Sequence, residues 1–116
     1  MKSGTDLIEE ARAKIKEVSA RSLVENPQPD IVYVDCREPN EYNLGHLPNA
    51  IYIPRGKLEQ NIEAAVERDK KIVIYCASGN RSALAADTMQ QMGYKDVASM
   101  SGGIREWADY GGEIES

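Results

Sequence analysis

The sequence predicts an α/β fold, a parallel sheet with helices on both faces. Three observations predict it. Ile31-Val32-Tyr33-Val34-Asp35-Cys36 and Lys71-Ile72-Val73-Ile74-Tyr75 are apolar nearly throughout, as strands buried on both faces are. Amphipathic stretches of helical period separate the strand-like runs, and parallel neighbours need such crossovers. Cys76 ends one of these runs, a short polar loop follows it, and Ala83 opens a helical stretch. Ligands in such folds bind beyond the carboxyl ends of the strands, where this cysteine lies.

The bounds agree with one domain. The chain has 116 residues, 41% of them hydrophobic and 28% charged, an ordinary globular mixture. A domain of this size buries roughly 65% of its unfolded surface, enough for a core without staples. The formal net charge of −5 argues against nucleic acid or an anionic membrane as the main partner. Two cysteines make no disulfide framework, and one histidine with them makes no zinc set, so neither metal nor cofactor is expected. The start of the chain reads as no signal peptide, which predicts a cytoplasmic protein.

Residues 1–17 read as an N-terminal amphipathic helix and 18–116 as the domain proper. Leu7, Ile8, Ala11, Ile15 and Val18 fall on one side at spacings of three and four, predicting a helix over 6–18 capped by Thr5 or Asp6. Packing on the domain edge is its plain role, with a partner-binding or dimer helix as the alternative. Lys16 to Ser19 also reads as a short edge strand, followed by a brief helix from Ser19 or Ser22. The prolines of Asn26-Pro27-Gln28-Pro29-Asp30 make a loop.

After the strand at 31–36, Pro39 sits where a first helical turn accepts it, predicting a short helix over 38–42. Gly45 to Ala50 is a turn-rich connection, and Ile51 to Pro54 a short strand. Leu58, Ile62, Ala65 and Val66 define a helix over 57–68. After the Cys76 loop, the helical stretch from Ala83 stops at Gly93. Residues 96–100 make a fifth strand, 102–107 a closing helix, and Gly111-Gly112 the end of the fold.

The chemistry is concentrated in Cys76-Ala77-Ser78-Gly79-Asn80-Arg81-Ser82. Backbone N–H groups at a helix start are unpaired and carry the positive end of its dipole, so they stabilise an anion. A Cys76 thiolate is such an anion. Its pKa should fall below the free-thiol value of roughly 8.5, toward about 3.5 to 7.5. Arg81 adds a fixed positive charge, and Gly79 admits backbone angles closed to other residues. Were Cys76 alone, a buried core cysteine would be the ordinary reading.

Asp35-Cys36-Arg37-Glu38-Pro39-Asn40-Glu41-Tyr42, Gly45-His46-Leu47-Pro48-Asn49-Ala50, Cys76 to Ser82, and Gly102-Gly103-Ile104-Arg105-Glu106-Trp107 together resemble the single-domain rhodaneses, the thiosulfate sulfurtransferase family. The resemblance implies a five-stranded parallel sheet flanked by helices on both faces. It maps the family's catalytic cysteine onto Cys76, and the active-site loop onto Ala77, Ser78, Gly79, Asn80 and Arg81. Cys36 stands where the family usually has an aliphatic residue, and Asn49 where it usually has glycine.

The activity so implied moves a sulfane sulfur through a Cys76 persulfide. The donor is a small sulfur-containing anion such as thiosulfate, and the acceptor a thiol, cyanide or a sulfur-relay protein. Arg37, Arg55 and Lys57 are candidates for attracting the anion, although a satisfied ion pair with Asp35 is the default for Arg37. His46 falls in a structural turn. Two other readings compete. A non-catalytic binding module is one, although such modules commonly lack the cysteine. A cysteine-dependent phosphatase or arsenate reductase is the other. Five residues separate Cys and Arg in those phosphatase loops, and four do here. A small buried side chain is the plain reading of Cys36; if near Cys76, it could instead resolve an oxidised or persulfidated Cys76 as a disulfide.

Overall fold

The computed structural model describes residues 1–116. Five strands form one wholly parallel sheet: β1 (Lys16–Ser19), β2 (Ile31–Asp35), β3 (Ile51–Tyr52), β4 (Lys71–Tyr75) and β5 (Val97–Ser101), in the order β1-β5-β4-β2-β3. The helices are α1 (Gly4–Lys14), α2 (Ala20–Glu25), α3 (Pro39–Leu44), α4 (Leu58–Ala65), α5 (Asn80–Gln91) and α6 (Gly103–Asp109). The predicted α/β class and five-stranded sheet are present. No helix is long and apolar enough to cross a membrane.

The strand period of two sorts the core into two layers. Ile72, Ile74 and Cys76 point to one face, where Leu58, Ile62, Ala85, Ala86 and Met89 of α4 and α5 cover them. Val73 and Tyr75 point to the other, against Ala20, Leu23 and Trp107 of α2 and α6. The central strand β4 is therefore buried on both sides, which explains its unbroken apolar run. Its carboxyl end delivers Cys76 to the edge of the sheet, beside the end of β2.

Several boundaries differ from the sequence reading. The first helix stops at Lys14 rather than Val18, because Ile15 turns extended and residues 16–19 pair with β5. Its cap is Ser3, whose hydroxyl accepts from Asp6 N–H while the Asp6 carboxylate accepts from Ser3 N–H. β3 is two residues long. The helix expected over 57–68 begins with a 3-10 turn at Arg55–Lys57 and ends at Ala65, where Val66 turns extended and drops into the core. The fold also continues past Gly111-Gly112. Glu115 and His46 exchange backbone hydrogen bonds of 2.8 Å, and Trp107 Nε1 donates to the Glu113 carbonyl.

Candidate active site

Cys76 is the first residue past β4 and is 1% exposed. Burial by itself would raise its pKa. The Ser82 hydroxyl, 3.6 Å from the sulfur, and the N–H groups of Ser82, Gly79 and Ser78 outweigh it, so the pKa is lowered. Gly79 N lies 3.2 Å from Sγ and Ser82 N lies 3.4 Å from it. These donors converge because the chain turns back on itself between β4 and α5. Gly79 makes that turn at φ +107°, a left-handed conformation that a side chain rarely adopts, and caps α5. The helix starts at Asn80, three residues earlier than expected, so Asn80 and Arg81 belong to its first turn rather than to a free loop.

The back of the loop is fastened to α6. Ile104 N–H donates to the Cys76 carbonyl at 3.0 Å, and Arg105 N–H donates to the Ala77 carbonyl at 3.2 Å. Two unpaired donors of a helix start thus satisfy the two loop carbonyls. The approach is close enough to require Gly103, whose added Cβ would collide with the carbonyls of Ala77 and Cys76. A third tie comes from α1, where Arg12 Nη2 donates to Asn80 Oδ1 at 2.9 Å.

The predicted arginines divide. Arg81 lies at the site and is half-buried, held by Glu41 through a two-pronged pair of 2.7 and 3.0 Å. That pair lowers the Glu41 carboxyl to about 2, first through the Arg81 hydrogen bonds and then through its own backbone bond to Glu38. Arg37 is 6% exposed. Its guanidinium is consumed by Asp35, at 2.8 to 3.2 Å, and by the Gly45 carbonyl. Tyr75 completes this buried network by donating to Asp35 at 2.7 Å. Arg55 pairs with Glu59 and donates to Thr88, and Lys57 is exposed on the 3-10 turn. His46 stacks on Tyr42 with ring centroids 4.1 Å apart and is not among the partners of the Cys76 sulfur.

Cys36 and Cys76 both follow paired strands, one step beyond the Asp35–Tyr75 register pair, and their side chains enter the same core layer. Both are free thiols. Burial pushes the Cys36 thiol far up, with the neighbouring Cys76 and Asp35 charges adding to it, and its S–H points at the Tyr75 carbonyl.

Sequence reasoning missed three contributors. Glu41 lay in plain view as a helix-start residue, but its bond to Arg81 spans 40 positions. Ser82 stood at the end of the quoted loop without an assigned role. Ser99, whose hydroxyl is 2.8 Å from that of Ser82, gave no local signal at all.

A parallel α/β domain that places a donor-cradled cysteine at the end of its central strand defines a recognisable class. A family model for the rhodanese-like domain matches residues 17–110, and the chain belongs to that family. The putative sulfur carrier protein YrkF of Bacillus subtilis is 33% identical over 109 residues, covering 92% of this chain and 58% of that protein. A tRNA uridine(34) hydroxylase of Pectobacterium carotovorum is 41% identical over 85 residues, covering 69% of this chain and 24% of that protein. The chain therefore spans less than two thirds of these relatives. Among solved structures, a Rhodopseudomonas palustris protein of unknown function, described as a possible tyrosine phosphatase, matches with TM-score 0.87 and 37% identity, covering 99% of this chain and 96% of that one. The polysulfide-sulfur transferase homodimer of Wolinella succinogenes matches with TM-score 0.75 and 30% identity, covering 93% and 83%. Two of these relatives are thus named for sulfur carriage or sulfur transfer.

Proposed function

We propose that this protein is a sulfurtransferase that carries sulfur as a persulfide on Cys76. The observation that carries the reading is the cradle of N–H and hydroxyl donors around one thiol whose pKa is lowered. The Cys76 thiolate attacks the outer, sulfane sulfur of a donor such as thiosulfate. The S–S bond of the donor breaks, sulfite leaves with the bonding pair, and a Cys76 persulfide forms. A thiolate or cyanide then takes the outer sulfur as a persulfide or thiocyanate and returns the Cys76 thiolate. This is two-step covalent catalysis in which the N–H and hydroxyl donors favour the thiolate of the nucleophile, and no histidine is among the partners of its sulfur. The donors that hold the thiolate also suit the negative charge of the persulfide. A thiolate nucleophile is retained where thiols stay reduced, which fits the cytoplasm. A sulfur-relay protein is the natural acceptor class for a domain whose relatives include a sulfur carrier.

The phosphatase reading has one observation behind it, the description of the Rhodopseudomonas structure. Two features weigh against it. Four residues lie between Cys76 and Arg81, a small cradle for a tetrahedral phosphate. The Arg81 guanidinium, which would have to clasp the phosphate oxygens, already spends two donors on Glu41.

Intact mass after incubation with thiosulfate tests the proposal. A gain of about 32 Da, one sulfur atom, is expected in the wild type and not in Cys76→Ser, as a covalent intermediate requires. No adduct, together with Cys76-dependent hydrolysis of an aryl phosphate, overturns it in favour of phosphoryl chemistry. No adduct and no hydrolysis leaves a choice between a different sulfur donor and a binding module.

A further inference from the structure

The hydroxyls of Ser82 and Ser99 meet at 2.8 Å, and both residues are fully buried. Ser82 belongs to the first turn of α5. Ser99 belongs to β5, in register with Ile74 on β4. Their distance alone leaves the direction of the bond open, but counting hydrogens fixes it. Each hydroxyl has one hydrogen to give and two lone pairs to receive. Ser99 Oγ has one partner, Ser82 Oγ. Ser82 Oγ has three neighbours: Ser99 Oγ, the Gly79 carbonyl at 3.2 Å and Cys76 Sγ at 3.6 Å. The carbonyl and a thiolate can only accept.

If Ser82 donated to Ser99, the Ser99 hydrogen would be buried without an acceptor, and the sulfur would lose its hydroxyl donor. Both defects are costly in a dry interior. If Ser99 donates to Ser82, each hydrogen finds an acceptor. We infer that Ser99 is a positioning residue for the nucleophile: its hydroxyl donates to Ser82 and thereby frees the Ser82 hydrogen for the Cys76 sulfur. The Ser82 hydrogen then has two acceptors within reach. It turns to the Gly79 carbonyl when Cys76 is neutral and to Sγ when Cys76 is charged. Donation from Ser99 polarises the Ser82 hydroxyl and makes it the better donor.

The inference rests on Cys76 acting as a thiolate in the proposed transfer. The charged and titratable groups around the sulfur come from several elements. Arg81 stands on α5 and Cys36 at the end of β2, with Asp35 and Arg55 next to Cys36. Arg12 of α1 reaches Asn80. None of them hydrogen-bonds Ser99, so removing its hydroxyl leaves these charges in place.

The test is the pH dependence of iodoacetamide alkylation at Cys76, followed by peptide mass and independent of any sulfur donor. Ser82→Ala should raise the midpoint by about one pH unit, the size of a lost hydrogen bond to a charged acceptor. Ser99→Ala should raise it by about half a unit, because it acts only through polarisation. The double variant should shift no further than Ser82→Ala, and Ser99→Thr, which keeps the hydroxyl, should restore the wild-type midpoint. Should Ser99→Ala fail to fold at the assay temperature, Ser99→Val, close to threonine in shape and without a donor, gives the same reading. An unshifted midpoint in the Ser99 variant, or shifts that add in the double variant, overturns the inference. Persulfide formation from thiosulfate is measured separately on the wild type. Its absence beside intact midpoint shifts would remove the transfer reaction and leave the Ser99 role standing.

Discussion

Glu41 grips Arg81 through two parallel hydrogen bonds, 2.7 and 3.0 Å long, and so fixes the guanidinium at the rim of the Cys76 cradle. The grip joins α3 to the first turn of α5, two elements on neighbouring strand ends. It also has a pH signature. The Glu41 carboxyl is lowered to about 2 in the fold, from an ordinary value of 4.5. A depressed carboxyl adds stability above its unfolded value and loses it as pH falls through the folded one. Wild type should therefore exceed Glu41→Gln in stability by about 1 kcal/mol at pH 7, the upper end for a partly exposed pair. The difference should shrink between pH 4.5 and 2. Urea unfolding of both proteins at pH 7, 4 and 3 measures it. A constant difference across that range would mean that the carboxylate charge has no part in the grip.

The two cysteines should separate cleanly in reactivity. Both are buried, yet hydrogen bonds lower the Cys76 thiol while burial and neighbouring negative charge push the Cys36 thiol up. Native protein at pH 7 should therefore take one alkyl group, on Cys76, with a midpoint below that of an ordinary thiol. In denaturant both should react at similar rates. Peptide mapping after short exposure to iodoacetamide reads the difference. Labelling of Cys36 in the native protein at a rate comparable to Cys76 would contradict the assignment of nucleophile.

What the sequence made legible follows the range of the physics. β4 was readable because burial on both faces leaves a nearly unbroken apolar run, and β2 because its apolar residues pack against both core layers even where they are only half-buried. The Cys76 loop was readable because strand, cysteine, glycine and helix succeed one another within a few residues. The end of α1 was not, since Val18 continues a helical spacing while its actual role is set by pairing with Met100 across the sheet. The arginines show the same limit. Arg37, Arg55 and Lys57 look alike as basic residues near a strand end. The sequence predicts the Asp35 ion pair of the first, which the structure contains; only the fold shows that the Gly45 carbonyl also absorbs it, that Glu59 and Thr88 hold the second, and that the third faces solvent. Ser99 is the extreme case. A serine in a strand carries no local mark, and its partner lies 17 positions away.

Gly103 provides the last prediction, because it links the closing helix to the loop by close approach. The residue adopts φ +60°, and a Cβ there would stand 2.6 Å from the Cys76 carbonyl oxygen and closer still to that of Ala77. Backbone, not a flexible side-chain end, blocks the space, so α6 would have to move away. Its departure would break the bonds from Ile104 and Arg105 N–H to the two loop carbonyls. Gly103→Ala should therefore cost about 2 kcal/mol or more, from positive φ and collision together. It should also raise the alkylation midpoint of Cys76, since a loosened loop no longer aims its N–H groups at the sulfur. Gly111→Ala is the control: it shares a positive φ of +82° but has open space around it and lies outside the cradle. Thermal unfolding and the alkylation profile of both variants distinguish the two roles. A shared loss of stability with an unshifted Cys76 midpoint in both would show that α6 braces the fold without shaping the cradle.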